Sequence, residues 1–350
     1  MRRLSGIFVP LLVLGCGTVA PKVLSPGDVP GQVRALPVYV RLSFTGLAFW
    51  RDKLYAGTNI GLLEIDGNRA SALYQWNTRD NVIEGPWVDQ GGDALWFWDC
   101  HTLDFRCCDG REWTRTGMPP KKSYYSRGDV LSSFRGYSDE TRFWIEGAGS
   151  FWSWDRQNRE WAGEDRPLGG LRGIAPAGDG LYALISPRKP EVGKPDDVEF
   201  HVRRDASWEK ITTIVWNGVI MRLVGTATGG YLLTHHRNLV RFDRQGIKTV
   251  TQPGVCEAMT ATSEGYLLAS FVGKGLFEHR GDQWILKCPY PYDEKEGKHW
   301  AFITESKGRI AFATGEESKV VDWDKGTQTW SGTSAVWVLK GNVLERVRLE

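Results

Sequence analysis

The chain has 350 residues, with 44 Lys and Arg against 42 Asp and Glu, and it contains no concentrated basic run. That balance excludes the phosphate-tracking surfaces by which proteins hold nucleic acid, so no nucleic-acid partner is expected. Seventeen Trp is an unusual load for this length, and because most recur at periodic positions, packing accounts for them before ligand binding does.

The first residues carry an address. Arg2 and Arg3 form a positive n-region, residues 7–14 a short apolar run, and Gly15-Cys16 a small residue before a cysteine. The run is too short to cross a bilayer and ends at a cut site, the layout of a secretory signal over residues 1–15. This resembles the lipobox of bacterial lipoproteins, where the signal is cut before a cysteine that receives a diacylglyceryl group. The resemblance implies lipidation of Cys16 and a membrane partner reached through that lipid. Gly17 follows Cys16 in place of the Asp that retains many lipoproteins at the inner membrane. The implied location is therefore the outer membrane of a bacterial envelope, facing the periplasm or the cell surface. Loss of Arg2 and Arg3 with the signal leaves 42 cationic side chains against 42 anionic. Residues 16–36 are rich in Pro and Gly without apolar periodicity, and they read as a tether for a folded body at 37–350.

That body is a repeat. Residues 54–67 read LYAGTNIGLLEIDG, and six more stretches echo them at intervals of 35 to 50 residues. In chain order the apolar cores are 54–56, 95–98, 143–145, 181–184, 231–233, 266–268 and 310–312. Each is too short for a helix and rich in aromatic and aliphatic residues, which suits a strand buried on both faces. Turns such as Gly178-Asp179-Gly180, Thr228-Gly229-Gly230, Ser263-Glu264-Gly265 and Ser306-Lys307-Gly308 precede these cores, and such residues tolerate the positive φ of tight hairpins. Long amphipathic helical patterns are absent. The fold class is all-β: a single β-propeller of seven four-stranded blades, with eight as the alternative count.

Closure of the ring is read from the two ends. Residues 38–44 form a spare strand, and 335–339 with 344–349 form a strand pair around Lys340-Gly341-Asn342. The pair either completes blade 7, making the stretch from Asp322 to Trp330 an excursion, or joins residues 38–44 in an eighth blade. Pairing of the N- and C-terminal strands is expected to seal the ring and hide its sheet edges.

Blade 1 resembles the two-component regulator propeller repeat, whose consensus runs close to L-W-I-G-T-x-x-G-L. Leu54, Gly57, Thr58, Gly61 and Leu62 match it, while Tyr55 and Ala56 replace the Trp-Ile pair. In blade 7, Asp322, Gly326 and Trp330 have the spacing of the quinoprotein-type propeller repeat, and blade 3 keeps part of it in Trp154-Asp155 and Trp161. The resemblance implies no cofactor, because that repeat often occurs in scaffolds lacking the quinone. No metal is expected either, since none of the six His has zincin spacing and no Cys pair has zinc-ribbon spacing. No G-x-S-x-G elbow or P-loop is present.

Beyond Cys16 five cysteines remain, Cys100, Cys107, Cys108, Cys256 and Cys288, an odd number that leaves at least one without an internal partner. Cys100 and Cys107 flank the turn between strands two and three of blade 2. A disulfide there is one reading, and buried thiols acting as small apolar side chains is the other.

Propeller ligands meet loops at the faces, so the candidate binding residues are sought there. Arg188 and Lys189 lie in the charged insertion 186–199, and His235 and Arg237 follow the second strand of blade 5. Tyr124, Tyr125 and Arg127 lie in the blade-joining loop 114–133, Tyr290 and Tyr292 in the loop 287–299, and a further such loop spans 77–86. Tyr and Arg in long loops suit protein or glycan contacts. Two function classes follow. The first is a non-catalytic extracytoplasmic binding or scaffold lipoprotein with an envelope protein or glycan as partner. One version resembles the outer-membrane-assembly propeller lipoproteins, although that family usually has eight quinoprotein-type blades and one blade matches well here. The second is a carbohydrate-active propeller enzyme, a lyase or glycosidase, for which a convergent cluster of carboxylates, or of Tyr with Arg and His, at one channel mouth is the distinguishing mark.

Overall fold

The computed structural model describes residues 44–347 except 60, 68, 76–82, 90, 101, 120–133, 139–141, 148–149, 166, 188–195, 205–206, 217–219, 235, 290–298, 316–317, 323–326, 332–334 and 342. A blade is a twisted antiparallel sheet that is apolar on both sides, and it is stable only when neighbours cover both. Seven four-stranded sheets meet that need, at residues 44–75, 83–117, 135–163, 170–216, 220–249, 256–288 and 299–346. No helix occurs among the described residues. The second strands hold the apolar runs legible in the sequence, and Leu95, Trp96, Phe97 and Trp98 of blade 2 are at most 1% exposed.

The first strand of each blade is the innermost. These are Phe44–Trp50, Ile83–Asp89, Arg135–Ser138, Gly170–Ala177, Ile220–Gly225, Cys256–Ala261 and His299–Ser306. Each contacts the inner strands of the two adjacent blades, and the last returns to the first, so the ring is closed. Seven apolar clusters fill the seven junctions, one apiece. The junction of blades 2 and 3 absorbs much of the tryptophan: Trp96 stacks on Phe143 at 4.6 Å and meets Trp154 and Trp161 edge-on. Pairs of this geometry add about 0.5–1.5 kcal/mol each to the area they bury.

Polar links fasten the same junctions, one blade to the next. Arg51 pairs with Asp93, Arg156 with Asp89, Arg203 with Glu164 and Arg244 with Asp179. The Ala227 amide donates to the Gly265 carbonyl, Ser263 Oγ bonds Glu305, and Arg309 Nη1 donates to the Asp52 carbonyl at 2.7 Å.

The strand pairing expected of the two ends rests on residues 38–43, which lie outside the described residues. Among the described residues, no four-stranded sheet mixes strands from the two ends of the chain. Of the spare strand at 38–44, only Phe44 is among the described residues, where it opens the inner strand of blade 1. Ala335–Lys340 and Val343–Arg346 are the third and fourth strands of blade 7, which settles the count at seven. The seam between blades 7 and 1 holds by packing: Ala311, Ala313, Val336 and Val347 from one side meet Phe44, Leu47, Phe49, Leu54, Ala56 and Leu63 from the other. Arg309 spans it, stacked 4.8 Å over Phe49 and paired with Asp52. The quinoprotein-type spacing falls outside the blade strands, since Asp322 and Trp330 lie in a separate hairpin, Ser318–Asp322 with Thr327–Ser331, inserted between the second and third strands of blade 7.

Candidate functional site

Strand direction brings three things to one end of the channel: the starts of the inner strands, the blade-joining loops and the loops between second and third strands. At that end the inner strands leave regular pairing. Register shifts fall at 44/46, 84/87, 171/173, 220/222, 256/258 and 300/302. A bulge inserts a residue that the ladder skips and re-aims its neighbours, so six blades bend at the mouth. Blade 1 approaches blade 2 closely there: a Cβ on Gly57 would stand 2.1 Å from the Gly85 carbonyl oxygen, while Thr45 Oγ1 donates to that oxygen at 3.3 Å.

The charged residues of these strand starts converge. Glu84 of blade 2 accepts a 2.5 Å hydrogen bond at Oε2 from the Phe134 amide, just ahead of the inner strand of blade 3. Arg135 and Tyr137, two residues apart, share one side of that strand, and Glu146 stands opposite Arg135 on the next strand. Glu146 Oε2 accepts from Tyr137 Oη at 3.0 Å and from the Ile174 amide of blade 4 at 3.2 Å. Tyr137, Glu146 and Glu84 together raise the Arg135 guanidinium above its ordinary value, against the cost of burial. Burial pushes the Glu84 carboxyl up to about 7, opposed by the Phe134 amide and Arg135. Burial likewise raises the carboxyl of Glu146 and, with Glu146 beside it, the phenol of Tyr137.

Arg222, on the inner strand of blade 5, completes the group. Its guanidinium is lowered first by burial and then by the repulsion of Arg135, with Tyr137 of blade 3 and Cys256 of blade 6 opposing. Blades 3 and 5 are separated by blade 4, so their inner-strand side chains meet only across the central channel. Arg222 is half-buried, as a group on the channel wall is. Its backbone pairs with Leu233 in the ladder, while its guanidinium meets no carboxylate among the described residues. Arg237, half-buried in the left-handed region with φ of 64°, reaches the same end and donates from Nη1 to the Glu257 carbonyl at 3.2 Å.

Chemically the group presents fixed cations. Its two carboxyls are occupied in anchoring: each accepts a backbone N–H from the next blade, and Tyr137 spends its proton on Glu146. A phenol whose pKa is raised is a hydrogen-bond donor at neutral pH rather than a base. Among the described residues, no cluster of His, Cys, Asp and Glu has the makings of a metal site.

Of the residues singled out from the sequence, Arg237 is thus found at the channel mouth. Cys16, Tyr124, Tyr125, Arg127, Arg188, Lys189, His235, Tyr290 and Tyr292 lie outside the described residues. All four loop assignments shrink: Ile83 to Pro86 belong to the inner strand of blade 2 and Thr114 to Gly117 to its outer strand, Ser186 and Asp196 to Glu199 to strands of blade 4, Lys287 and Cys288 to the outer strand of blade 6, and His299 to the inner strand of blade 7. The disulfide reading of Cys100 and Cys107 is corrected. Cys107 pairs in register with Trp96, and Asp99, the last residue before Cys100, pairs with Asp104. At ~3.3 Å per residue Cys100 and Cys107 are on the order of 13 Å apart along the hairpin, beyond the reach of a disulfide. Both are free thiols packed against the aromatic cluster of blades 2 and 3, and burial pushes each up to about 12.

Glu84, Arg135, Tyr137, Glu146 and Arg222 were not singled out from the sequence. The available signal was a charged residue near the start of five first strands, Glu84, Arg135, Arg172, Arg222 and Glu257, but those strands are short, and Arg135-Gly136-Tyr137-Ser138 reads as loop until the sheet is seen.

No protein-family model and no curated protein matches the chain. Solved structures match its shape. The β-propeller domain of the Trilobed protease from Pyrococcus furiosus, described as having an open velcro topology, superposes with a TM-score of 0.58 at 9% identity, covering 88% of this chain and 98% of that one. The extracellular domain of BT4673 from B. thetaiotaomicron gives 0.51 at 13% identity, with 90% of this chain covering 45% of that one. YCF48 bound to D1 peptide gives 0.50 at 9%, covering 81% and 96%. At these identities the likeness is one of fold, and the fold is a seven-bladed β-propeller.

Proposed function

We propose that the protein is a non-catalytic binding propeller of the bacterial envelope, anchored to the outer membrane through lipid on Cys16. In this reading residues 1–15 are the signal, 16–36 the tether and 37–350 the propeller, which contacts an envelope protein or glycan through the loop-bearing end of its channel. The observation that supports it is the cluster at that end, where Arg135 is held charged and Arg222 faces the channel. Immobile donors of one charge suit recognition. The carbohydrate-active alternative needs a proton acceptor there, and the two carboxyls and the phenol are occupied in hydrogen bonds that hold the cluster together. Propellers of this shape carry peptides elsewhere, as YCF48 does with D1 peptide.

Two arms test the proposal. Palmitate labelling in a bacterial host is expected to mark wild type and spare Cys16→Ser; equal label in both removes the anchor. Capture from envelope extract is expected to fall for Arg127→Ala/Tyr292→Ala. Retention of every captured partner by that pair excludes the loops as the contact surface.

A further inference from the structure

We propose that the channel mouth is a receptor for a carboxylate on an acidic peptide segment, gripped by Arg222 with Arg135 behind it. The inference rests on the binding reading above and names its ligand chemistry.

Charge is the first argument. Arg135 has Glu146 and Glu84 beside it, so its field is largely spent within the cluster. Arg222 has no such carboxylate among the described residues, and it sits where enclosure and Arg135 both disfavour its charge. A cation held in such a place is relieved by one anionic group arriving from the channel.

Geometry is the second. A guanidinium offers a planar fork that a carboxylate fills with two parallel hydrogen bonds. Arg222 also lies next to one of the bulges that ring the mouth. At Thr45, Met221 and Ala301 the inner strand skips a residue in its pairing with the second strand. The peptide groups of a bulge turn away from the ladder, and at the mouth they meet what enters the channel. An extended peptide supplies both matching parts, a carboxylate for the fork and backbone amides for these groups.

Anisotropy of a fluorescein-labelled hexaglutamate peptide, titrated with the mature protein at fixed ionic strength, tests this. Saturable binding is expected, weaker by about tenfold or more in Arg222→Gln and by less in Arg222→Lys, which keeps the charge and loses the fork. Arg222→Gln is expected to melt no lower than wild type, because the change removes an enclosed, repelled charge. Undiminished peptide binding by Arg222→Gln overturns the assignment. So does displacement of the probe by inorganic phosphate or by oligogalacturonate at lower concentration than by unlabelled hexaglutamate. If Arg222→Gln binds peptide normally while Arg127→Ala/Tyr292→Ala loses envelope capture, the carboxylate site falls and the binding reading stands.

Discussion

Removal of residues 336–350 takes away most of the third strand of blade 7 and all of its fourth. Val336, Val347 and Leu339 are 0%, 3% and 7% exposed, the first two inside the seam with blade 1 and the third against blade 6. At about 1.5–3 kcal/mol for each buried side chain, their loss amounts to about 5–9 kcal/mol, before counting the ladder that covers residues 310–314. A domain's net stability is about 5–15 kcal/mol, so the truncated chain is expected to lose the closed ring, expose Ala311, Ala313 and the edge of blade 7, and aggregate. The exposed polar link across the same seam is worth far less. Arg309→Ala forfeits its pair with Asp52 and its stacking on Phe49, about 1–2 kcal/mol together, and is expected to leave a monomer with a slightly lower Tm. Size-exclusion chromatography, thermal melting and limited proteolysis of the two variants beside wild type make the comparison. A compact, monomeric truncation with unchanged Tm would refute the claim that apolar packing at this seam closes the ring.

Two further perturbations probe the mouth. Glu84 has a folded pKa of about 7 against an ordinary 4.5. Below pH 4.5 both states hold the proton, between 4.5 and 7 the unfolded chain releases it first, and above 7 the folded chain bears the full cost of the buried charge. Glu84→Gln, which still accepts from the Phe134 amide, is therefore expected to be more stable than wild type above pH 7. Contact with channel solvent limits the gain to about 1–2 kcal/mol, and it vanishes as pH falls to 4.5; a difference independent of pH between 4 and 8.5 in chemical denaturation contradicts the assignment. Gly57→Ala puts a Cβ 2.1 Å from the Gly85 carbonyl oxygen, whereas at Gly173 the nearest atom would be 3.7 Å away. The first is expected to cost about 1–3 kcal/mol and the second nothing measurable, with equal melting of the two arguing against the close approach of blades 1 and 2.

Much of the architecture was legible because burial leaves a strong trace. Second strands are covered on both sides, so runs such as Leu95-Trp96-Phe97-Trp98 stand out, and the turns at Gly229, Gly265 and Gly308 take the positive φ that their composition suggests. Pairing of the two ends depends on residues 38–43, outside the described residues; what is described of the seam is packing, and composition alone does not distinguish the two. The Asp322 to Trp330 spacing pointed to a blade but belongs to an inserted hairpin, since a motif of three residues fits any tight antiparallel turn. The cluster of Arg135, Tyr137, Glu146 and Arg222 was invisible for a different reason. Its members come from blades 3 and 5, about 90 residues apart in the chain, and only the closed ring sets them face to face. The Cys100 and Cys107 pairing failed on register, which the spacing of two cysteines in a hairpin does not determine.

The central claim is that ligands enter at the arginine-bearing end of the channel, and photo-crosslinking reads this directly. A hexaglutamate peptide carrying a diazirine would be irradiated with the mature protein and the adducts mapped by mass spectrometry. Adducts are predicted on the channel mouth, at Arg222, Arg237 or Glu257, and they are predicted to disappear in Arg222→Gln. Adducts confined to the outer strands, at Trp208, Ile285 or Leu286, and unaffected by that substitution, would contradict it.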